Sequence, residues 1–118
     1  MSLEVQNTTQ LLDLVLSNRL YEELIIQLNK DFSLSNIDVA ISQKTTPTLL
    51  KQRLCKVIEE LIQGEFDDFL NLLYRVDLSE LSARKNSNQS AGEYIECVTF
   101  LILKREWQKV WFKHRYTS

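Results

Sequence analysis

The sequence is poor in residues that interrupt helices, with two glycines and one proline among 118 residues. Sandwiches and barrels of β-strands use both residues in their turns, so this scarcity favours long helices joined by few turns. A chain of this length corresponds to one domain and buries roughly two-thirds of the surface that its unfolded form exposes. We therefore expect a single all-α domain over residues 1–118, with frayed ends at 1–8 and 115–118.

The sequence also lacks long apolar runs. None reaches the roughly 20 residues that a membrane-spanning helix needs, and the longest, from Cys97 to Leu103, still contains Thr99. The opening residues MSLEVQNTTQ have neither the basic part nor the apolar part of a secretory signal. These absences predict a cytoplasmic protein that does not bind a membrane.

Residues that carry catalysis or bind metals are equally scarce. Cys55 and Cys97 are far apart in the sequence and form no CxxC pair, so we expect two reduced, buried thiols. His114 is the single histidine, which excludes a di-iron centre with a Glu-x-x-His pair on each of two helices. No glycine-rich phosphate loop is present. We expect no catalytic residue, no cofactor, no metal site and no small-molecule substrate, and hence no enzyme.

The spacing of apolar residues predicts four helices in an up-and-down bundle, with one or two short extra helical turns. The first helix runs from about Thr9 to Asp31, and Ser17-Asn18 either kinks it or divides it in two. The segment 33–46 is rich in β-branched and polar residues, which favours a loop or a short helical turn around 37–41.

Capping signals place the remaining helices. Thr46 and Pro47 begin the second helix, and Gly64 ends it because glycine adopts the left-handed conformation that closes a helix. Ser90 with Glu93 forms a capping-box pattern that opens the last helix. The predicted ranges are 47–64 for the second helix, 65–76 for the third, 77–83 for a short helix begun by Asp77 and Glu80, 83–92 for a loop, and 91–114 for the last helix.

Acidic residues cluster around the Gly64 turn: Glu59, Glu60, Glu65, Asp67 and Asp68. They do not have the alternating oxygen ligands of a calcium loop. We interpret them as a solvated face, or as a surface that faces the basic last helix within the same chain.

The last helix separates apolar from basic side chains. At 100° per residue, its apolar residues fall within one arc of about 100° that also includes His114. A central core helix with a solvated basic face is the favoured interpretation, although Phe112 and Tyr116 project among the bases. Two alternatives stay open: that the apolar face is open to a partner, or that the basic face binds an anion or RNA. The apolar face comprises Phe100, Leu103, Trp107, Val110 and Trp111, and the basic face comprises Lys104, Arg105, Lys109, Lys113 and Arg115.

The segments LLYRVDLSE (72–80) and LILKREWQKVWFKHRYTS (101–118) resemble a group of small uncharacterised bacterial proteins. Those proteins have an "LLYR-hydrophobic-D" segment, a loop, and a closing helix of the "L-I-x-x-R-E-x-Q-K-V" type. The resemblance covers roughly the last half of the chain, and it implies an α-helical fold in a bacterial cytosol without any catalytic residue. Within these motifs, we expect Arg75 or Asp77 to pair with charges on the closing helix and to fix its register.

The sequence therefore predicts a small helical protein that binds another protein or itself, with a homodimer through the first or last helix. The alternative is an RNA- or anion-binding accessory protein that uses the basic face. A net charge of −2 gives no electrostatic reason to expect nucleic acid as the main partner.

Overall fold

The computed structural model describes residues 5–83 and 89–117, without the side chains of residues 82, 83 and 117. Within these residues there are five α-helices, one 3₁₀ helix and no β-strand, which confirms the predicted all-α class. The elements are α1 (Thr8–Ser17), α2 (Tyr21–Leu34), α3 (Pro47–Gly64), α4 (Phe66–Arg75), a 3₁₀ helix (Ser79–Ala83) and α5 (Ala91–Thr117). None of the helices in the described ranges has the length and apolar character that a bilayer crossing requires.

The predicted first helix is divided, so there are five helices instead of four. Arg19 has a φ of 59°, in the left-handed region that residues with a Cβ adopt rarely. The Asn18 side-chain amide donates a 2.8 Å hydrogen bond to the carbonyl oxygen of Leu14 and so satisfies an acceptor at the end of α1. The break allows α1 and α2 to pack against each other while both contact α5.

The predicted start of α3 is confirmed, but the predicted reason for its end is wrong. Thr46 caps the helix, because its hydroxyl accepts a 3.4 Å hydrogen bond from the backbone nitrogen of Leu49. Gly64 is the last residue of α3, yet no glycine in the described chain has a positive φ. The chain leaves the helix at Glu65, with φ −139° and ψ 56°, and α4 begins at the next residue.

The segment between α2 and α3 is an irregular loop, the first of the two predicted alternatives, and no helical turn forms around 37–41. The Asn29 side chain holds it from α2: its amide donates to the carbonyl of Ile41 at 2.9 Å, and its oxygen accepts from the backbone nitrogen of Ile41 at 2.8 Å. Ile37 and Ile41 are buried in the core. The loop is therefore held in place by both hydrogen bonds and apolar contacts.

The two predicted capping boxes differ in outcome. At Ser90 and Glu93 the box is confirmed, with reciprocal hydrogen bonds of 3.1 and 3.3 Å between side chain and backbone. Asp77 does not cap a helix, because it has a left-handed φ of 64° and the 3₁₀ helix begins only at Ser79. Most of the predicted 83–92 loop falls on residues 84–88, which lie outside the described residues.

The long helix α5 lies at the centre of the fold and packs against α1, α2 and α3. Its residues Val98, Ile102, Leu103 and Trp107 are fully buried among side chains of the other helices. In the apolar run from Cys97 to Leu103, most side chains are thus covered by the chain itself, although Cys97 is exposed.

The chain ends predicted to be frayed, 1–8 and 115–118, are partly ordered. The Asn7 side chain caps α1 by accepting a backbone hydrogen bond of 2.9 Å. At the other end, α5 continues through Thr117. The rest of these two segments lies outside the described residues.

Trp107 should contribute strongly to stability, because its side chain is 1% exposed and is among the largest in the core. Trp107→Ala leaves a cavity and is expected to cost roughly 3–5 kcal/mol of the free energy of unfolding. Phe112→Ala, at an exposed position of the same helix, should cost less than about 1 kcal/mol. Urea unfolding followed by circular dichroism measures both, and equal effects would contradict the core position of Trp107.

Candidate functional site

The apolar face of α5 belongs to the core and is not open to a partner. Leu103, Trp107 and Val110 are buried, and Phe100 and Trp111 are half-buried against the same core. The Trp107 and Trp111 rings contact each other, with centroids 5.8 Å apart. The interpretation of these five residues as an open interaction face is therefore corrected: in the folded chain a partner can reach only the edges of two of them.

Arg105, on the basic face, is engaged within the chain. Its guanidinium donates to the carbonyl of Val76 at 3.1 Å, to the carboxylate of Asp77 at 3.0 Å and to the side chain of Gln108 at 3.0 Å. The expected pairing of Asp77 with the closing helix is thus confirmed. Asp77 is well exposed, so the ion pair itself adds little stability, and its main effect is to position the exit of α4 against α5.

Lys109 is also engaged, at a group of three charged residues that we call the buried charge cluster: Asp31, Glu106 and Lys109. The Lys109 Nζ lies 2.8 Å from Oδ2 of Asp31, 3.6 Å from Oε1 of Glu106 and 3.4 Å from the carbonyl oxygen of Arg75. The Asp31 side chain is 4% exposed and that of Glu106 is 0% exposed. The expectation that Lys109 belongs to a solvated face is therefore wrong.

The two carboxyl groups of this cluster have opposite pKa shifts. Burial raises the pKa of Glu106 to about 9, and the neighbouring Asp31 carboxylate adds to this effect while Lys109 opposes it. Burial also acts to raise the pKa of Asp31, but hydrogen bonds from Glu106, Lys109 and Gln27 together lower it. At neutral pH the cluster therefore contains a protonated Glu106, an ionised Asp31 and a charged Lys109.

The proton on Glu106 resolves an otherwise costly arrangement. Neither carboxyl oxygen of Glu106 has a hydrogen-bond donor within reach, so an ionised Glu106 would be buried without a hydrogen bond. When protonated, the Glu106 carboxyl is neutral, so its burial beside the Asp31 carboxylate does not bring two negative charges together. The cluster then carries one negative and one positive charge, which neutralise each other between α2 and α5.

The sequence reasoning missed Asp31 and Glu106, although a signal was present. Both stand beside the apolar positions of amphipathic helices, where a carboxylate points toward the core and not toward water. The other bases of the face differ in their surroundings. Lys104 lies over the Phe100 ring at 5.7 Å, whereas Lys113 and Arg115 are exposed. The five bases therefore do not form one continuous anion-binding surface.

The C-terminal part of α5, residues 112–116, is exposed at every position, and we call it the α5 tip. Phe112 is 53% exposed and Tyr116 is 76% exposed. Their rings stack with centroids 6.3 Å apart and an angle of 5° between planes. Lys113 and Arg115 flank this pair on the helix surface, so the tip combines aromatic and basic side chains, whereas His114 lies on the other side of the helix, beside α2. His114, which the helical projection put on the apolar arc, is exposed as well.

A second surface feature is a groove of about 560 Å³ between the α2–α3 loop and the corner where α3 meets α4. Its apolar lining comprises Ile37, Val39, Val57 and Leu61, and four carboxylates surround it: Asp38, Glu60, Glu65 and Asp68. We call it the acidic groove. Asp68 accepts a long 3.5 Å hydrogen bond from Asn36. The carboxylates around Gly64 are exposed, apart from the half-buried Asp68, as the solvated-face interpretation predicts, and Arg105 and Lys109 pair with Asp77 and Asp31 instead of with them.

The two thiols are free and differ in exposure. Cys55 is half-buried, with Sγ 3.4 Å from the hydroxyl of Thr99, whereas Cys97 is exposed, which corrects the expectation that both are buried. Within residues 5–83 and 89–117, no group of three or more His, Cys, Asp or Glu side chains is arranged to hold a metal ion.

Comparisons of the chain with protein-family models, with curated proteins and with solved structures find no match. The resemblance to small bacterial helical proteins stays a prediction. The class of protein is defined by the fold and the surfaces described above: an all-α domain with a buried charge cluster, an exposed aromatic and basic helix end, and an acidic groove.

The raised pKa of Glu106 predicts a pH-dependent stability. Between its ordinary value of 4.5 and its folded value of about 9, the folded state holds one more proton than the unfolded state. The free energy of unfolding should therefore fall as pH rises through this range, by up to about 1 kcal/mol per pH unit. Glu106→Gln, which has no proton to lose and keeps a donor for Asp31, should abolish most of this slope. Urea unfolding at pH 5 to 9 tests it, and equal slopes for both proteins would contradict it.

Removing the positive charge of the cluster should be costly. Lys109→Met keeps the length of the side chain but leaves the Asp31 carboxylate buried without its cation. We expect the free energy of unfolding to fall by about 3 kcal/mol. This is the lower end of the range for broken buried ion pairs, because Lys109 is partly exposed. Lys104→Met is the matched control and should change stability by less than about 0.5 kcal/mol. Adding Asp31→Asn to Lys109→Met should recover much of the lost stability. If it does not, the loss is not caused by a buried, unpaired Asp31 carboxylate.

Proposed function

We propose that the chain is a protein-interaction domain that binds a protein through the α5 tip and performs no catalysis. The observation that carries this proposal is the stacked pair of Phe112 and Tyr116, held in solvent among basic residues. Single exposed apolar residues are common on protein surfaces, but two stacked aromatic rings offer a larger contiguous apolar area. Aromatic residues and arginine are also the residues enriched in the cores of protein interfaces.

The rest of α5 supports this proposal, because it presents the tip in a fixed position. One turn before Phe112, the helix is held to α2 by the Lys109–Asp31 pair and to the exit of α4 by Arg105. Trp107 fixes the same region from the core side. A contact surface that is rigid before binding loses little conformational entropy when a partner associates.

The RNA- or anion-binding alternative has less support. Arg105 and Lys109, two of the five bases on that face, are engaged with Asp77 and Asp31. A phosphate backbone would have to compete with these internal carboxylates, and it would meet a chain with more acidic than basic residues. We also propose that the protein is located in a bacterial cytoplasm, as the motif resemblance implies.

Capture of proteins by the tagged chain tests the proposal. A nuclease-treated lysate of the native cell is passed over three immobilised proteins: wild type, the tip variant Phe112→Ala/Tyr116→Ala, and a control variant. The control, Tyr74→Ala/Leu34→Ala, removes two exposed apolar side chains outside the tip. Proteins that wild type and control retain should be captured about tenfold less by the tip variant, which corresponds to about 1.4 kcal/mol. Equal capture by all three proteins would contradict a binding role for the tip.

A further inference from the structure

We propose that the α5 tip of one copy docks into the acidic groove of a second copy of the same chain. This inference rests on the proposed function and names the partner of the tip. It concerns two surfaces of the folded monomer that differ in charge. Each copy carries both surfaces, so no further component is needed for the contact.

The acidic groove has the composition of a receptor for an aromatic and basic segment. Ile37 and Leu61 are buried at its floor, and Val39 and Val57 are half-buried. In the part of the chain that the structure describes, four carboxylates and no lysine, arginine or histidine line the groove. Its volume of about 560 Å³ lies within the range of pockets that bury small ligands, which is sufficient for an aromatic side chain.

The α5 tip has the complementary composition. Its two exposed rings provide apolar area, and Arg115 and Lys113 provide positive charge beside them. Apolar side chains of the tip can fill the floor while its bases meet the carboxylates at the rim. Opposite potentials of this kind favour the correct encounter and its orientation.

The distribution of charge along the chain favours this pairing over others. The α5 tip contains two basic residues, Lys113 and Arg115, and no acidic residue, whereas four carboxylates line the acidic groove. Contact between two tips or between two grooves brings like charges together and is disfavoured. Contact between a tip and a groove brings opposite charges together.

The folded monomer does not make this contact with itself. No α5 residue with a described side chain lines the groove, and both rings of the tip remain exposed. Because Lys109 and Arg105 hold α5 on the core only a few residues before the tip, the tip has no freedom to fold back into its own groove. A second copy of the chain provides a tip for the groove of the first copy and a groove for its tip.

Sedimentation velocity of wild type and two complementary variants tests the inference. The tip variant is Phe112→Ala/Tyr116→Ala, and the groove variant is Asp38→Asn/Glu60→Gln/Glu65→Gln, which changes three exposed carboxylates of the rim. Wild type should self-associate as its concentration rises and should dissociate as salt is added. Each variant alone should associate at least about tenfold more weakly. An equimolar mixture should form a one-to-one complex, because it contains one intact tip and one intact groove.

The control Asp13→Asn/Glu22→Gln/Glu80→Gln removes the same number of exposed carboxylates outside the groove and should associate like wild type. Circular dichroism confirms that all variants keep the helical content of wild type. A wild type that stays monomeric, a variant that associates like wild type, or a mixture that forms no complex overturns the inference. If wild type is monomeric while the tip variant still loses its captured proteins, the proposed function stands and only the choice of a second copy fails.

Discussion

The contact between Lys109 and Asp31, made beside a protonated Glu106, is the interaction on which the position of α5 depends. A charged pair with little access to water costs desolvation energy, so it is favourable only when both partners are in place and correctly oriented. Apolar packing alone would tolerate small rotations of α5 against its neighbours. The three side chains favour the arrangement of α2 and α5 in which Lys109 reaches Asp31, and with it the orientation of α5 relative to solvent.

The same constraint separates the two ends of the basic face. Where the bases meet buried or backbone acceptors, as at Arg105 and Lys109, they serve the fold. One turn later the neighbouring helices provide no further core, and the side chains of the tip enter solvent. Helix α5 is therefore a core element up to Val110 and a surface element from Phe112 onward. The half-buried Trp111 marks the change between the two environments.

Much of the fold could be predicted from the sequence, because local rules decide it. Thr46 with Pro47 and Ser90 with Glu93 are capping signals whose chemistry requires only neighbouring residues. The left-handed Arg19 could not be predicted, because the conformation of a residue with a Cβ at a break is decided by the packing on both sides. The buried charge cluster could not be predicted for a similar reason: Asp31 and Lys109 are distant in sequence, and only the approach of α2 to α5 brings them together.

The central position of α5 has a consequence for how the chain folds during synthesis. The helix that α1, α2 and α3 all pack against is translated after all of them. Until it emerges, the apolar faces of the earlier helices lack the part of the core that α5 supplies, and α2 lacks the cation that neutralises Asp31. The nascent chain therefore reaches its native core only after α5 leaves the ribosome, and before that moment it presents the exposed apolar surface that chaperones recognise and that promotes aggregation. The most distant contacts, between α1 and α5, also make the final step depend on closing nearly the whole chain.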